Sequence, residues 1–301
     1  MNKTYKIVAV ILNYKSWEEA VACVDSLLKM EYENHEIVIV DNGSGNDSIE
    51  QLTKIYSDKE LVHIVMSRNN LGFARGNNLG IKYARTELNA DFIYVANSDT
   101  INSSLLYKQI LNKYKEGIGL ISPTVQKKDG SYHLPAINTD NISKSVREAF
   151  INSLYSYLCF NRMVRNASKH TKNVLEPFED TERNLCVNKY VIQGCAYFLT
   201  PDFLKEYDGL YPCTFLYWEE LNLLQLMEKA DLETVLAKTD NVIHMVNSST
   251  NLFFKERERN RCKMSLQSAI NSVPLWFMKK KKIQKIIKKN NKQDCEYKVL
   301  K

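Results

Sequence analysis

"FIYVANSDT", residues 92–100, is an uncharged apolar run that closes on the polar tripeptide Asn97-Ser98-Asp99. A stretch with so little alternation has the pattern of a strand buried on both faces, and such strands belong to parallel sheets covered by helices. Its neighbours repeat the theme. "KIVAVILNY" (6–14), "HEIVIVDN" (35–42) and "LVHIVMS" (61–67) are equally rich in β-branched residues, and the amphipathic segments 17–30, 48–56 and 73–84 separate them. Strand alternating with helix predicts an α/β fold, a mostly parallel central sheet with helices on both faces. Ser16 with Glu19 three residues on reads as a capping box for the first helix. Ligands of such sheets collect outside the carboxyl ends of the strands. Asn13, Asp41, Asn42, Asn97 and Asp99, which close these strands, are therefore expected to share one crevice.

Composition narrows the class. The 301 residues, 44% apolar and 25% charged, suffice for one large domain or a domain with an appendage. The N-terminus has no signal pattern and no long uncharged apolar run occurs, so a cytoplasmic protein is the simplest reading. Seven scattered cysteines without a Cys-x-x-Cys pair suggest free thiols, not disulfides or a thiolate metal site. Charge is polarised: residues 251–301 hold 15 Lys or Arg against 4 Asp or Glu, and the net +6 of the chain leaves the first 250 residues at −5. Such a chain is expected to meet an anionic partner through its basic end. No internal repeat is present.

The usual phosphate loops are missing: neither G-x-x-x-x-G-K-[ST] nor a strand-linked G-x-G-x-x-G occurs. In their place come "VDNGSGNDS" (40–48), "RNNLGFARGNNLG" (68–80) and "NSDT" (97–100). Taken singly, each has an ordinary structural meaning as a turn, or, for Gly72, Gly76 and Gly80, as close helix packing. Taken in order, with Asn13-Tyr14 ahead of them, they resemble the inverting nucleotide-sugar glycosyltransferases of family 2, which have the GT-A fold. The likeness is strongest to their rhamnosyltransferase-like bacterial branch, where the third motif commonly reads Asn-Pro-Asp. It covers roughly residues 5 to 260.

The resemblance implies roles. Asp99 would hold a divalent cation, Mn2+ or Mg2+, against the donor diphosphate, since a hard cation with oxygen ligands neutralises the charge that develops on the leaving group. Asn97, standing where the family's first carboxylate is usual, would contact the nucleotide-sugar. Asp41 would face the nucleobase imide and Arg75 the diphosphate, with Asn13, Asn42, Asn70, Gly72 and Asn78 lining the donor site and Gly194 leaving room beside a sugar. In "GLYPCTFLYWEELNLLQLMEKAD" (209–231) Glu220 falls on the catalytic-base position, with Glu219 beside it as the other candidate. Such a base takes the proton of an acceptor hydroxyl as it attacks the anomeric carbon from the face opposite the diphosphate, inverting it. Glu replaces the commoner Asp here, and Asn222 a second Asp. His244, followed by Ser248, resembles the late histidine that completes metal or diphosphate binding.

The expected division is a GT-A domain over 1–250, with a nucleotide-binding half (1–125) and an acceptor half (126–250) that carries a helical insertion at 138–184. A basic helical tail, 251–301, follows. Within it "SVPLWFMKKKKIQKIIKK" (272–289) sets an aromatic and aliphatic cluster beside lysines, so an anionic membrane surface is the expected partner of 274–289. Nucleic acid is not expected, because the charge follows a single aromatic cluster in place of interleaved stacking residues. The partners implied are a UDP- or dTDP-linked sugar, rhamnose first, and a growing surface polysaccharide or lipid-linked glycan. The competing reading is a catalytically degenerate nucleotide-sugar binder or scaffold.

Overall fold

The computed structural model describes residues 4–132, 142–161, 185–186, 192–245, 257–293 and 297–300. The first half alternates as expected: β1 (Ile7–Asn13), α1 (Trp17–Leu27), β2 (His35–Asp41), α2 (Ser48–Tyr56), β3 (Val62–Ser67), α3 (Phe73–Thr86) and β4 (Phe92–Asn97). Then come β5 (Thr100–Ile101), α4 (Leu106–Leu111), β6 (Ile118–Lys127), α5 (Ile142–Asn161), β7 (Leu185–Cys186), β8 (Ala196–Leu199) and α6 (Pro201–Glu206). The described chain ends with α7 (Glu219–Ala230), β9 (Glu233–His244), α8 (Arg257–Phe277), α9 (Lys280–Gln293) and β10 (Tyr297–Leu300).

The strands form one sheet in the order β10-β3-β2-β1-β4-β8-β6-β9-β5, with β7 beside β9. β3, β2, β1 and β4 are parallel, which is the part the alternating sequence predicts. Beyond β4 the sheet is mixed. β8 runs antiparallel to both β4 and β6, and β10 antiparallel to β3. Alternate residues of each central strand serve opposite faces. Ile7, Ala9 and Ile11 join α1, α2 and α4 in one core, while Val8 and Val10 join α3, α6, α7 and α9 in the other. Burial on both sides is why "KIVAVIL" lacks a polar face.

Three local expectations change. Ser16 occupies the N-cap of α1 but makes no capping bond; its hydroxyl lies 3.4 Å from that of Ser98. The apolar stretches 232–237 and 241–246, separated by the polar Lys238-Thr239-Asp240, predict two short strands but fall largely in the single β9, whose pairing with β6 shifts register around Pro123, a residue with no N–H to give the ladder. Most of the 138–184 insertion and Ser248 lie outside the described residues; the part described is α5. The basic C-terminal segment is packed into the domain: Leu275, Ile283 and Ile287 are fully buried in the second core, and β10 borders the sheet.

Candidate active site

The sheet register brings the strand ends together. Asn13 pairs with Asp41 across β1 and β2, and Leu12 with Asn97 across β1 and β4, so three of the expected polar residues stand side by side at one edge. The Asp41 carboxylate is buried and accepts from the Ser44 N–H (3.0 Å), the Ser44 hydroxyl (2.6 Å) and the Asn13 amide (2.8 Å). That network fixes the turn after β2, because a buried carboxylate without donors is costly.

Asn42 and Asn78 are buried clamps. The Asn42 amide donates to Asn70 Oδ1 (3.1 Å) and the Gly72 carbonyl (3.2 Å) and accepts the Leu71 N–H (3.0 Å). Asn70 Oδ1 also accepts the Gly72 N–H at 2.9 Å. Asn78 donates to the Leu210 carbonyl (3.0 Å) and accepts the Leu210 N–H (2.7 Å), joining α3 to the loop ahead of α7. Gly72, at φ 80°, lies so close to Phe215 that a Cβ would come within 2.3 Å of its carbonyl oxygen. Arg75 sits half-buried in the first turn of α3, next to that junction.

Asp99 follows β4 directly and is not a helix cap, since α4 begins only at Leu106. Pairing of Thr100 with His244 across β5 and β9 carries the histidine to it, and Asp99 Oδ1 lies 3.2 Å from His244 Nε2. The other oxygen, Oδ2, is buried with no hydrogen-bond partner among the described residues. A buried carboxylate oxygen with no donor beside an imidazole nitrogen suits a cation that adds its own oxygen ligands. Among the described residues no group of three metal-binding side chains forms, so these residues would supply two ligands. The half-buried Asn97 amide has no hydrogen-bond partner among the described residues.

The acidic pair opens α7. Tyr217 (φ 71°) and Trp218 (φ 74°) are both left-handed, a conformation costing bulky residues about 1–3 kcal/mol each and typical of functional sites. By exposed area Glu219 and Glu220 are half-buried, yet desolvation is the largest influence on both. It raises the Glu220 carboxyl above its ordinary value, and N–H groups of Glu220 and Gly194 partly offset this. Burial, then the Glu220 charge, push Glu219 up to about 8. Glu219 Oε1 has no hydrogen-bond partner among the described residues. A Cβ at Gly194 would lie 2.3 Å from Glu220 Oε1, so a side chain there would displace the Glu220 carboxylate from this position.

Cys195 ties the two halves of the site. Its carbonyl accepts the Asn97 N–H at 2.9 Å, while its neighbour Gly194 holds Glu220. Its thiol is pushed up to about 12 by burial and by the fields of both Asp99 and Glu220. Asp99 with its unpartnered oxygen and the Glu220 carboxyl thus flank one two-residue segment. Sequence reasoning missed Cys195, the left-handed pair and the α8 side chains Ser268 and Asn271, which donate to the carbonyls of Leu216 (2.8 Å) and Cys213 (3.0 Å) in the loop before α7. No local motif marks them, because each acts through a long-range contact.

Residues 8–156 match the profile of the family described as Glycosyl transferase family 2. The chain is 32% identical over 111 residues to glycosyltransferase GlyG of Streptococcus pneumoniae serotype 4, covering 36% of each chain. It is 29% identical over 122 residues to low-salt glycan biosynthesis hexosyltransferase Agl10 of Haloferax volcanii, covering 40% of this chain and 37% of that one. The matched regions span little more than a third of these relatives' length. Among solved structures, S. aureus TarS 1-349 in complex with UDP aligns with a TM-score of 0.53 at 12% identity, over 89% of this chain and 71% of that one. The mannosyltransferase PcManGT from Pyrobaculum calidifontis, in complex with GDP-Man and Mn2+, aligns at 0.53 and 7%, over 96% and 74%. At such identities the likeness is one of fold.

Proposed function

From the match of residues 8–156 to glycosyl transferase family 2, we propose that the chain is an inverting, metal-dependent glycosyltransferase of GT-A fold. It moves a hexose from a UDP- or dTDP-linked donor to a growing surface polysaccharide or a lipid-linked glycan. The observation that carries the reading is the pairing of Asp99 and His244, with a buried carboxylate oxygen left without a donor among the described residues, across Gly194-Cys195 from Glu220. Rhamnose is the first donor to try, supported by the resemblance of the strand-end motifs. The hexosyltransferase named among the relatives supports the broader class. A cytoplasmic position at the inner face of the cell membrane belongs to the same reading.

In the reaction Glu220, held by the Gly194 N–H, accepts the proton of the acceptor hydroxyl as that oxygen attacks the anomeric carbon. Its raised carboxyl shortens the gap to the hydroxyl it must deprotonate. Glu219, protonated over much of the neutral range, is placed to donate a hydrogen bond to the acceptor. A divalent cation held by Asp99 and His244 would neutralise charge on the departing diphosphate. Asn97 and Arg75 line the donor side, and Asn42, Asn70 and Asn78 position the loops that carry it.

The test is release of nucleoside diphosphate from a panel of UDP-, dTDP- and GDP-sugars, with and without Mn2+, by the wild type, Asp99→Ala and Glu220→Gln. Metal-dependent cleavage of one donor, lost in both variants, is expected. Donor binding without release, even with glycan acceptors supplied, would favour the non-catalytic binder, for which Asn97 in place of a carboxylate speaks.

A further inference from the structure

Six of the ten exposed large apolar side chains among the described residues lie on two helices, α5 and α8. On α5, Ile151, Leu154, Tyr155 and Leu158 recur at the spacing of a single helix face, and Ile151 and Tyr155 are 53% and 56% exposed. The other side of α5 packs on α8. Ser153 Oγ lies 3.1 Å from Ser265 Oγ, and Val146 shares a buried cluster with Ala269, so the two helices run antiparallel. Along α8, Lys263, Gln267, Ile270, Pro274 and Phe277 form an exposed stripe that turns apolar toward its end, where Phe277 is 81% exposed.

Both stripes stand in positive charge. Arg261 and Lys263 are exposed on the part of α8 beside the second half of α5, and Lys279, Lys281 and Lys282 are exposed just past Phe277. The hairpin is also fixed to the catalytic helix: Val146 and Ala269 share their cluster with Trp218, Leu221 and Leu224, around the first turns of α7.

We propose that the α5–α8 hairpin docks the protein on an anionic lipid surface, its apolar stripes entering the headgroup layer and its flanking Lys and Arg facing lipid phosphates. Apolar area combined with basic charge is the composition that binds such a surface. A second copy of the chain fits poorly, because a symmetric contact would oppose two segments that each carry 15 basic and 4 acidic residues. The surface shares Pro274, Phe277, Lys279, Lys281 and Lys282 with the segment expected over 274–289 and extends it onto α5, whereas Ile283 and Ile287 of α9 are consumed by the core. The proposal draws on the glycosyltransferase reading in one respect: docking through helices fixed to α7 brings Glu219 and Glu220 toward a lipid-linked acceptor.

The experiment is flotation of the full chain with phosphatidylcholine vesicles containing or lacking phosphatidylglycerol, at low and high salt. Binding to the anionic vesicles, weakened by salt, is expected. Leu154→Glu with Leu158→Glu, and separately Phe277→Glu, should each lower it by at least about tenfold. Lys281→Glu with Lys282→Glu should lower it roughly fivefold per lysine. Leu61→Glu, at an exposed apolar side chain away from the hairpin, should bind as wild type. Equal urea midpoints confirm that the variants are folded. No preference for anionic vesicles, or stripe variants that bind like wild type, would overturn the proposal. So would stripe variants that convert a dimer into a monomer with no vesicle binding in any form. Flotation needs no donor, so failure of every form to cleave a nucleotide-sugar while vesicle binding persists would remove the glycosyltransferase reading and leave the docking surface standing.

Discussion

At the scale of single residues the site is a set of carboxylates with unequal surroundings. Asp99 has a buried oxygen without a donor among the described residues, so His244→Ala should impair the proposed metal-dependent reaction nearly as much as Asp99→Ala, while leaving the β4 core intact. Titration of Mn2+ against donor cleavage reads this as an apparent metal affinity weakened about 10–100-fold; unchanged affinity in the histidine variant would separate His244 from the cation. Glu220→Gln keeps the Gly194 contact but cannot take a proton, and is expected to lower kcat by about 10²–10⁴ with little change in donor KM. Glu219 gives a stability test. It titrates at about 8 in the folded chain against 4.5 ordinarily, so the folded state holds that proton more tightly. Its contribution is most favourable below that window and is lost as pH rises through it. Glu219→Gln should match the wild type in acid and exceed it above pH 8 by on the order of 2 kcal/mol, once partial water access is allowed for. Parallel urea midpoints across pH would show that Glu219 ionises freely. Asp99, His244, Gly194 and the acidic pair were legible as residues from the order of the motifs; the contacts that join them were not, because Cys195 and the pairing of β5 with β9 that sets His244 against Asp99 are long-range features of the sheet.

At the scale of elements, α3 shows how a motif can serve packing and still mark a site. Gly76 and Gly80 lie one turn apart, and a Cβ on Gly80 would come within 2.4 Å of Val10 Cγ1 and 2.8 Å of Val40 Cγ2. They let the helix press onto β1 and β2, which carry Asn13 and Asp41 at their ends. Gly80→Ala is therefore expected to cost about 1–3 kcal/mol through overpacking, with a loss of donor affinity larger than the loss of stability predicts. Thermal unfolding and donor binding, measured on the same sample, separate the two effects. The central strands and their helices were legible because both-face burial and 3.6-residue periodicity dominate locally. β6 was not, since Gly119 and Pro123 interrupt its pattern; its strand character comes from lying between β8 and β9. Glu219 and Glu220, which open α7, were legible as residues, but the entry to the helix through two left-handed aromatics was not. That geometry is held by α8, about fifty residues away in sequence.

At the scale of the whole molecule, charge and packing give different boundaries. Composition divides the chain at residue 250, with net −5 before it and +11 after it, and suggests a tail. Packing does not follow that division, because the basic residues of α9 lie on its outer face while Ile283 and Ile287 fill the core shared by α3, α7 and the central strands. The lysines hid this from a composition-based reading: a helix this basic looks solvated until its two inward positions are counted. The consequence is testable by stability. Ile287→Ala removes a fully buried side chain and should cost about 2–5 kcal/mol, lowering the urea midpoint of the entire transition. Trp17 in α1, far along the chain from the substitution, and Trp276 in α8 offer local probes when each is kept as the sole tryptophan. If the C-terminal helices share the domain's cooperativity, both probes shift together in the Ile287→Ala background. If the helices were an appendage, the Trp276 transition alone would move and Trp17 would unfold at its original midpoint. Coincident shifts would also tie membrane docking to catalysis, because the same helices that present Phe277 and the lysines would then be inseparable from the fold that holds Glu220 against Gly194.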